Sequence, residues 1–248
     1  MKRLYEKNEL TFSLMWIGLY VVLFSAADNL SRDLGTEKVI TAPLCLIFVL
    51  ILAGWIKKSG LCEKYGLQKV KVDYRRYLYF LPLILIASIN LWGGLTLKLS
   101  VGETILYVVS MMCVGFIEEV IFRGFLFKAL CRENLKQAMI ISSLTFGIGH
   151  IVNLLNGAQM FETLLQICYA VAIGFLFTVI FHRSRSLVPC IITHSAINSL
   201  SAFAAGERST AFYIIAAAIL TVVSLTYAAW ILKTPVPSAL PDGSKARW

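Results

Sequence analysis

The stretch Met111-Met112-Cys113-Val114-Gly115-Phe116-Ile117-Glu118-Glu119-Val120-Ile121-Phe122-Arg123-Gly124-Phe125-Leu126-Phe127 sets two carboxylates and an arginine inside an otherwise apolar helix. Near the centre of a bilayer each such charge costs roughly 2.5–3.5 kcal/mol on an insertion scale, so three left unpaired would cost roughly 8–10 kcal/mol. An intramembrane charge set of this kind is a functional-site hypothesis by default.

The rest of the chain supports the membrane reading. Its 248 residues are 58% hydrophobic and 15% charged, and its mean hydropathy is +0.75. A soluble domain is about half apolar and about a quarter charged. The expected fold class is all-α, a polytopic membrane helix bundle forming a single domain over 1–248. Apolar runs of span length fall at about 11–27, 39–56, 77–97, 104–127, 138–155, 161–181, 187–203 and 210–232, about eight transmembrane helices. The fifth and seventh are short or polar, which predicts burial inside the bundle. The first run follows Lys2, Arg3 and Lys7 and is read as an uncleaved span, because further spans follow it at regular spacing. Residues 234–248, opening Thr234-Pro235-Val236-Pro237, read as a disordered tail.

The net charge of +9 orients the bundle. With the N-terminus in the cytoplasm, eighteen lysines and arginines fall on cytoplasmic segments and four, Arg32, Lys38, Lys98 and Arg208, on outer ones; Arg123 lies within the membrane. That asymmetry predicts that both termini are cytoplasmic. No basic stripe with interleaved aromatics points to nucleic acid, so the expected partners are the lipid bilayer and a membrane-associated peptide or protein. The basic connection 57–76 reads equally as an interfacial helix on anionic lipid or as a solvated loop. The six cysteines form no C-x-x-C pair and read as small apolar residues rather than a disulfide or zinc framework.

Polar residues inside other spans complete a constellation. Residues four apart share a helix face, so Glu119 pairs with Arg123 while Glu118 points about 100° away with no partner at matching spacing. This divides their work, with Glu118 free for chemistry and Glu119–Arg123 fixing the helix. Phe146 and His150 are four apart in one later span, with Asn153 on nearly the same face, and His194 and Asn198 are four apart in another. Counted at about 1.5 Å per residue from the nearest cytoplasmic basic residue, Glu118 lies about 15 Å deep, His150 about 21 Å, His194 about 13 Å and Asn198 about 20 Å. All four fall near the middle of a core about 30 Å thick, slightly toward the cytoplasm. Gly115, Gly124 and Gly174 read as sites of close helix contact. His182 reads as interfacial, Asn156-Gly157 as a helix stop, and Gln166 and Tyr169 as packing residues.

The motifs Glu118-Glu119-x-x-x-Arg123, Phe146-x-x-x-His150 and His194-x-x-x-Asn198 resemble the CAAX protease and bacteriocin-processing family of intramembrane glutamic endopeptidases. The resemblance covers residues 104–203, the expected catalytic core. It implies a helical bundle around a water-filled cavity open toward the cytoplasm. It implies that Glu118 activates a water, helped by His150, that His194 and Asn198 stabilise the oxyanion, and that Glu119, Arg123 and Phe146 support the site. No metal is favoured; zinc on Glu118, His150 and His194 is the alternative. The compact chain reads as bacterial, and family precedent then suggests peptide maturation, bacteriocin or signal-peptide processing, or immunity. Two other classes stand beside it: a non-proteolytic membrane scaffold or regulator, and a proton-coupled transporter, since intramembrane Glu and His also serve as relays.

Overall fold

The computed structural model describes residues 1–67, 81–206 and 208–234. Its elements are α1 (Lys2–Lys7), α2 (Glu9–Asp33), α3 (Thr41–Lys58) and α4 (Leu81–Ala87), the last extended by a 3₁₀ turn, Ser88–Leu91. Next comes α5 (Val101–Glu118), which continues without interruption through a π-helical stretch, Glu119–Phe127, into α6 (Lys128–Leu130). The chain then forms α7 (Leu135–Gly149), α8 (Val152–Leu155), α9 (Met160–Ser184), α10 (Val188–Leu200) with a 3₁₀ turn Ser201–Phe203, and α11 (Thr210–Lys233).

Local chemistry sets the boundaries. Asn8 caps α2 by accepting from the Thr11 N–H at 2.9 Å, and Asn134 caps α7 through Gln137 at 3.1 Å. Ser100 and Glu103 form a reciprocal capping box at the start of α5. Pro189 sits in the first turn of α10, where its missing N–H loses nothing. Gly157, at φ +87°, ends the α8 turn as the Asn156-Gly157 pair predicts.

Among the described residues, six helices are long and apolar enough to cross a membrane: Glu9–Asp33, Thr41–Lys58, Val101–Leu130, Leu135–Leu155, Met160–Ser184 and Thr210–Lys233. Two of the eight expected spans are shorter. The described part of the third is the helical run Leu81–Leu91, its beginning at 77–80 lying outside the described residues. The seventh is the 13-residue α10. These two short helices pack side by side, and their ends are tied together. Asn90 donates to the Ile197 carbonyl at 2.7 Å, Thr96 N–H to Phe203 at 3.0 Å, and Ala205 N–H to Gly94 at 3.0 Å.

The seventh run is covered, with Ile192 the one exposed residue of α10, though only Cys190, Thr193 and His194 are fully buried. The fifth is not. On α7, Ile140, Ile141, Leu144 and Ile148 point outward along one face, so it presents an apolar stripe to the surroundings and its polar side inward. Outward leucines, isoleucines and valines recur on the other long helices, among them Leu14, Val22, Leu50, Ile105 and Val222, a surface suited to lipid rather than to water.

Two apolar clusters hold the bundle. One joins α2, α3 and the α5–π segment through Phe12, Trp16, Phe48, Leu52, Ile117, Ile121 and Phe125. The other joins α9 to α11 through Ile173, Phe177, Ile180, Leu220 and Tyr227. Close helix approach depends on two glycines above all: a Cβ at Gly115 would lie 2.4 Å from Ser195 Oγ, and one at Gly147 would lie 2.3 Å from Val171 Cγ2. At Gly174 a Cβ would sit 3.0 Å from Arg123 and from Phe146, whereas at Gly124 nothing is nearer than 3.7 Å. The expectation of tight contact therefore holds at Gly115 and Gly174 but not at Gly124, and Gly147 joins them.

The segments gather at the ends as the charge count grouped them. At one end Glu9 pairs with Lys64 at 2.7 Å and with Arg132 at 2.6 Å, joining α2 to two basic connections. At the opposite end Lys38 pairs with Asp28 at 2.8 Å. There Arg32 also donates to the Asn156 carbonyl at 2.5 Å. Residues 59–67, the described part of the basic connection that follows α3, form turns rather than a helix and bury Tyr65 against Phe125. Burial and the Tyr5 hydroxyl push the Tyr65 phenol well above its ordinary value, so it stays neutral. The rest of that connection, and the tail from 235, lie outside the described residues.

Candidate active site

Glu118 is the last residue of the regular α5 and Glu119 the first of the π-helical stretch. A π-turn hydrogen-bonds i to i+5 and is found mostly at functional sites. The underwinding changes the faces that 100° per residue would give, but the Glu119–Arg123 pair survives it: Arg123 Nη1 donates to Glu119 Oε1 at 3.0 Å with both side chains fully buried. The guanidinium also lies over the Phe146 ring, 4.0 Å from its centroid, a cation–π contact made stronger by desolvation. Phe146 thereby supports Arg123 directly, and Gly174 leaves the room for both.

His194 on α10 stands between the two carboxylates. Its Nδ1 is 2.8 Å from Glu119 Oε1 and its Nε2 is 3.4 Å from Glu118 Oε2. Glu119 is thus held by Arg123 from its own helix and by His194 from another. Glu118 is held from two other helices, by His194 and by the Tyr20 hydroxyl of α2, which donates to Oε1 in a short contact. Glu118 has no partner on its own helix; its partners come from α2 and α10.

Glu118 lines a cavity of about 120 Å³, room for several waters. The walls are Tyr20, Val21, Phe24 and Ser25 of α2 and Phe146, Gly149, His150, Val152 and Asn153 of the α7–α8 region, with Phe122 beside Glu118 and with Asp28 and Asn156 at the far end. His150 Nδ1 lies 3.1 Å from the Phe146 carbonyl. A carbonyl only accepts, so Nδ1 carries the proton and, in the neutral ring, Nε2 keeps its lone pair. Asn153 donates to Gln166 Oε1 at 2.9 Å, so Gln166, read from sequence as packing, orients a cavity-lining amide.

The expected site residues separate into three placements. Glu118 and His150 line the cavity, together with Phe146. Glu119, Arg123 and His194 form the buried cluster behind it. Asn198 lies one turn beyond His194 on α10 and is neither a cavity-lining residue nor a partner of either glutamate among the described residues. Glu118, His150 and His194 do not close into a metal-binding group: among the described residues no set of three His, Cys, Asp or Glu is so arranged. Tyr20 is the residue that sequence reasoning missed. Its single signal is a hydroxyl in an apolar span, which does not reveal a partner 98 residues away.

The cavity lining extends along two helices. Along α2 it runs from Tyr20 to Asp28, and along α7–α8 from Phe146 to Asn156. Both directions lead away from the end where Glu9 meets Lys64 and Arg132. Glu118 lies nearer that basic end of its own span.

Residues 100–200 match the family model described as type II CAAX prenyl endopeptidase, Rce1-like. The resemblance read from the three motifs holds over that stretch, and Tyr20 lies outside it. No curated protein matches the chain, and no solved structure does.

Proposed function

We propose, from the premise that residues 100–200 belong to the Rce1-like family of type II CAAX prenyl endopeptidases, that this chain is an intramembrane endopeptidase in which Glu118 activates a water. The observation that carries the assignment is the different setting of the two glutamates. Glu118 reaches the cavity and Glu119 does not.

A water in the cavity would give a proton to Glu118 as its oxygen attacks the scissile carbonyl. The Tyr20 hydroxyl donates to the carboxylate and His194 Nε2 stands 3.4 Å from its other oxygen, so its orientation is fixed from two sides. His150 lines the cavity wall together with Phe146. It is suited to assist the water or to protonate the leaving amine. Glu119 and Arg123 keep His194 and the helix in register. In this geometry His194 acts through Glu118, and an oxyanion role for it would require the ring to leave Glu118. The substrate would be an apolar segment of a membrane-associated peptide or protein. Peptide maturation, bacteriocin or signal-peptide processing, and immunity are the settings that suit it.

The test is cleavage of candidate precursor peptides by purified protein in detergent, read by mass spectrometry. Wild type, Glu118→Gln and a chelator-treated sample are run together. The expected result is product from wild type and from the chelated sample and none from Glu118→Gln. Full activity in Glu118→Gln would refute the assignment, and chelator loss restored by zinc would replace the water-activating glutamate with a metal mechanism.

A further inference from the structure

A chain that reaches Glu118 has to leave its helix first. An α-helix is about 10–12 Å across with its side chains, more than a cavity of about 120 Å³ admits, so what enters is a short unwound length of backbone. Unwinding frees N–H and C=O groups that the helix had paired. In an apolar setting these groups need new partners, because leaving them bare is strongly unfavourable.

Most of the cavity lining cannot supply a partner. Val21, Phe24, Phe122, Phe146 and Val152 are apolar. The Tyr20 hydroxyl is on Glu118, and Asp28 is held by Lys38 at 2.8 Å and by Thr41 at 2.6 Å. Glu118 and His150 are engaged with the water and the leaving amine. Beyond the single hydroxyl of Ser25 on α2, the polar side chains that remain among the described lining residues are the carboxamides of Asn153 and Asn156.

These two are built into one wall. Asn153 lies in α8 and Asn156 ends it. Helical residues three apart stand about 5–6 Å from each other, and alternate residues of an extended chain are about 6.6 Å apart, a close match. Asn153 donates one amide N–H to Gln166 Oε1 of α9 at 2.9 Å, which fixes the plane of its carboxamide. Such a group keeps a second N–H and an accepting oxygen. Asn156 is anchored through its backbone carbonyl, which accepts from Arg32 Nη1 at 2.5 Å. Its Oδ1 is buried and has no hydrogen-bond partner among the described residues, whereas a buried acceptor is normally paired.

We propose that Asn153 and Asn156 form a subsite for the unwound backbone of the substrate, each carboxamide pairing with a peptide unit beside the scissile bond, and that Gln166 positions Asn153 for this task. The proposal rests on the reading of Glu118 as the reacting group. Backbone groups are common to every residue, so the subsite selects a segment by how readily it unwinds rather than by its side chains.

An arbitrary apolar peptide therefore serves as the probe: leucine and alanine over about 20 residues, a central Gly-Gly pair to ease unwinding, and a fluorophore at one end. Binding to the full-length Glu118→Gln protein in detergent is read by fluorescence anisotropy, with mass spectrometry confirming that the probe stays intact. Peptide N–H groups around the Gly-Gly pair are replaced one at a time by ester oxygens, which removes a donor and leaves the side chains unchanged. At least one ester is expected to weaken binding about 3–10-fold, and that effect should vanish when Asn153→Leu is added. A second ester, about two residues away, should behave in the same way toward Asn156→Leu. Gln166→Leu should weaken binding of the all-amide probe as Asn153→Leu does, with no further loss in the double variant. Binding indifferent to every ester, an ester effect that survives both asparagine variants, or no binding to folded protein would each overturn the proposal. The first and last of these need no change at either asparagine, so a variant that misfolds does not obscure them. Ester-sensitive, asparagine-dependent binding in a chain that cleaves nothing would leave the subsite standing and sink the peptidase reading; Glu118-dependent cleavage with ester-blind binding would do the reverse.

Discussion

Glu118 meets side chains from two helices far away in sequence: the Tyr20 hydroxyl donates to it, and His194 Nε2 stands 3.4 Å from it. A hydrogen bond to a charged group is worth about 1.5–3 kcal/mol, and each ~1.4 kcal/mol of barrier is about tenfold in rate. Tyr20→Phe should therefore lower kcat by roughly 10–100-fold while folded yield stays near wild type; unchanged kcat would show that Tyr20 merely lines the wall. Arg123→Ala is a different kind of change. It leaves Glu119 fully buried with His194 as its remaining partner, and breaking a buried pair costs about 3–5 kcal/mol. Thermal unfolding in detergent should show Arg123→Ala well below wild type and Glu118→Gln close to it. Equal stability of the two variants would contradict the division of roles between the glutamates. The pair Glu119–Arg123 was legible in the sequence because both members lie on one helix at a fixed spacing. Tyr20 was not, because partners on different helices leave no spacing to read.

Among elements, the six long spans were legible because length and hydropathy suffice for them. The described part of the third run and the seventh are shorter helices with irregular ends, because an apolar run of 17–21 residues does not fix where its helix stops, and their pairing at Gly94–Thr96 and Phe203–Ala205 is set by tertiary contact. The fifth was misjudged because its polar residues suggested burial on all sides, whereas they cluster on one face. The π-helical stretch had no sequence signature, since an i to i+5 pattern in an apolar run looks like any other apolar run. Glycine positions discriminate sharply at this scale. Overpacking typically costs about 1–3 kcal/mol. Gly147→Ala should lower folded yield by driving α7 from α9, because the new methyl meets Val171 backbone as well as side chain. Gly124→Ala should be tolerated, its nearest neighbour standing at 3.7 Å. Yields from parallel detergent extractions decide this, and the reverse order would refute the packing account.

For the whole molecule, the sequence grouped its segments into two ends by charge alone, and the folded chain brings members of each group together. What charge could not reveal is how the Glu9 end is packed, because that depends on rings contributed by α2, α3, the π-helical stretch and the turn at Tyr65. The depth of the cavity then acts as a ruler. An extended chain advances about 3.3 Å per residue, so if Asp28, eight helical residues or about 12 Å from Tyr20, stands at the rim of the cavity that both line, its length corresponds to about four residues of peptide. A bond closer than that to a folded domain or to a bulky anchor at the rim could not reach Glu118. In a series of otherwise identical substrates, cleavage should begin only once a spacer of about four residues separates the obstacle from the scissile bond. The protein would then select its cleavage position by measuring length from the rim, with little need to recognise the side chains that flank the bond.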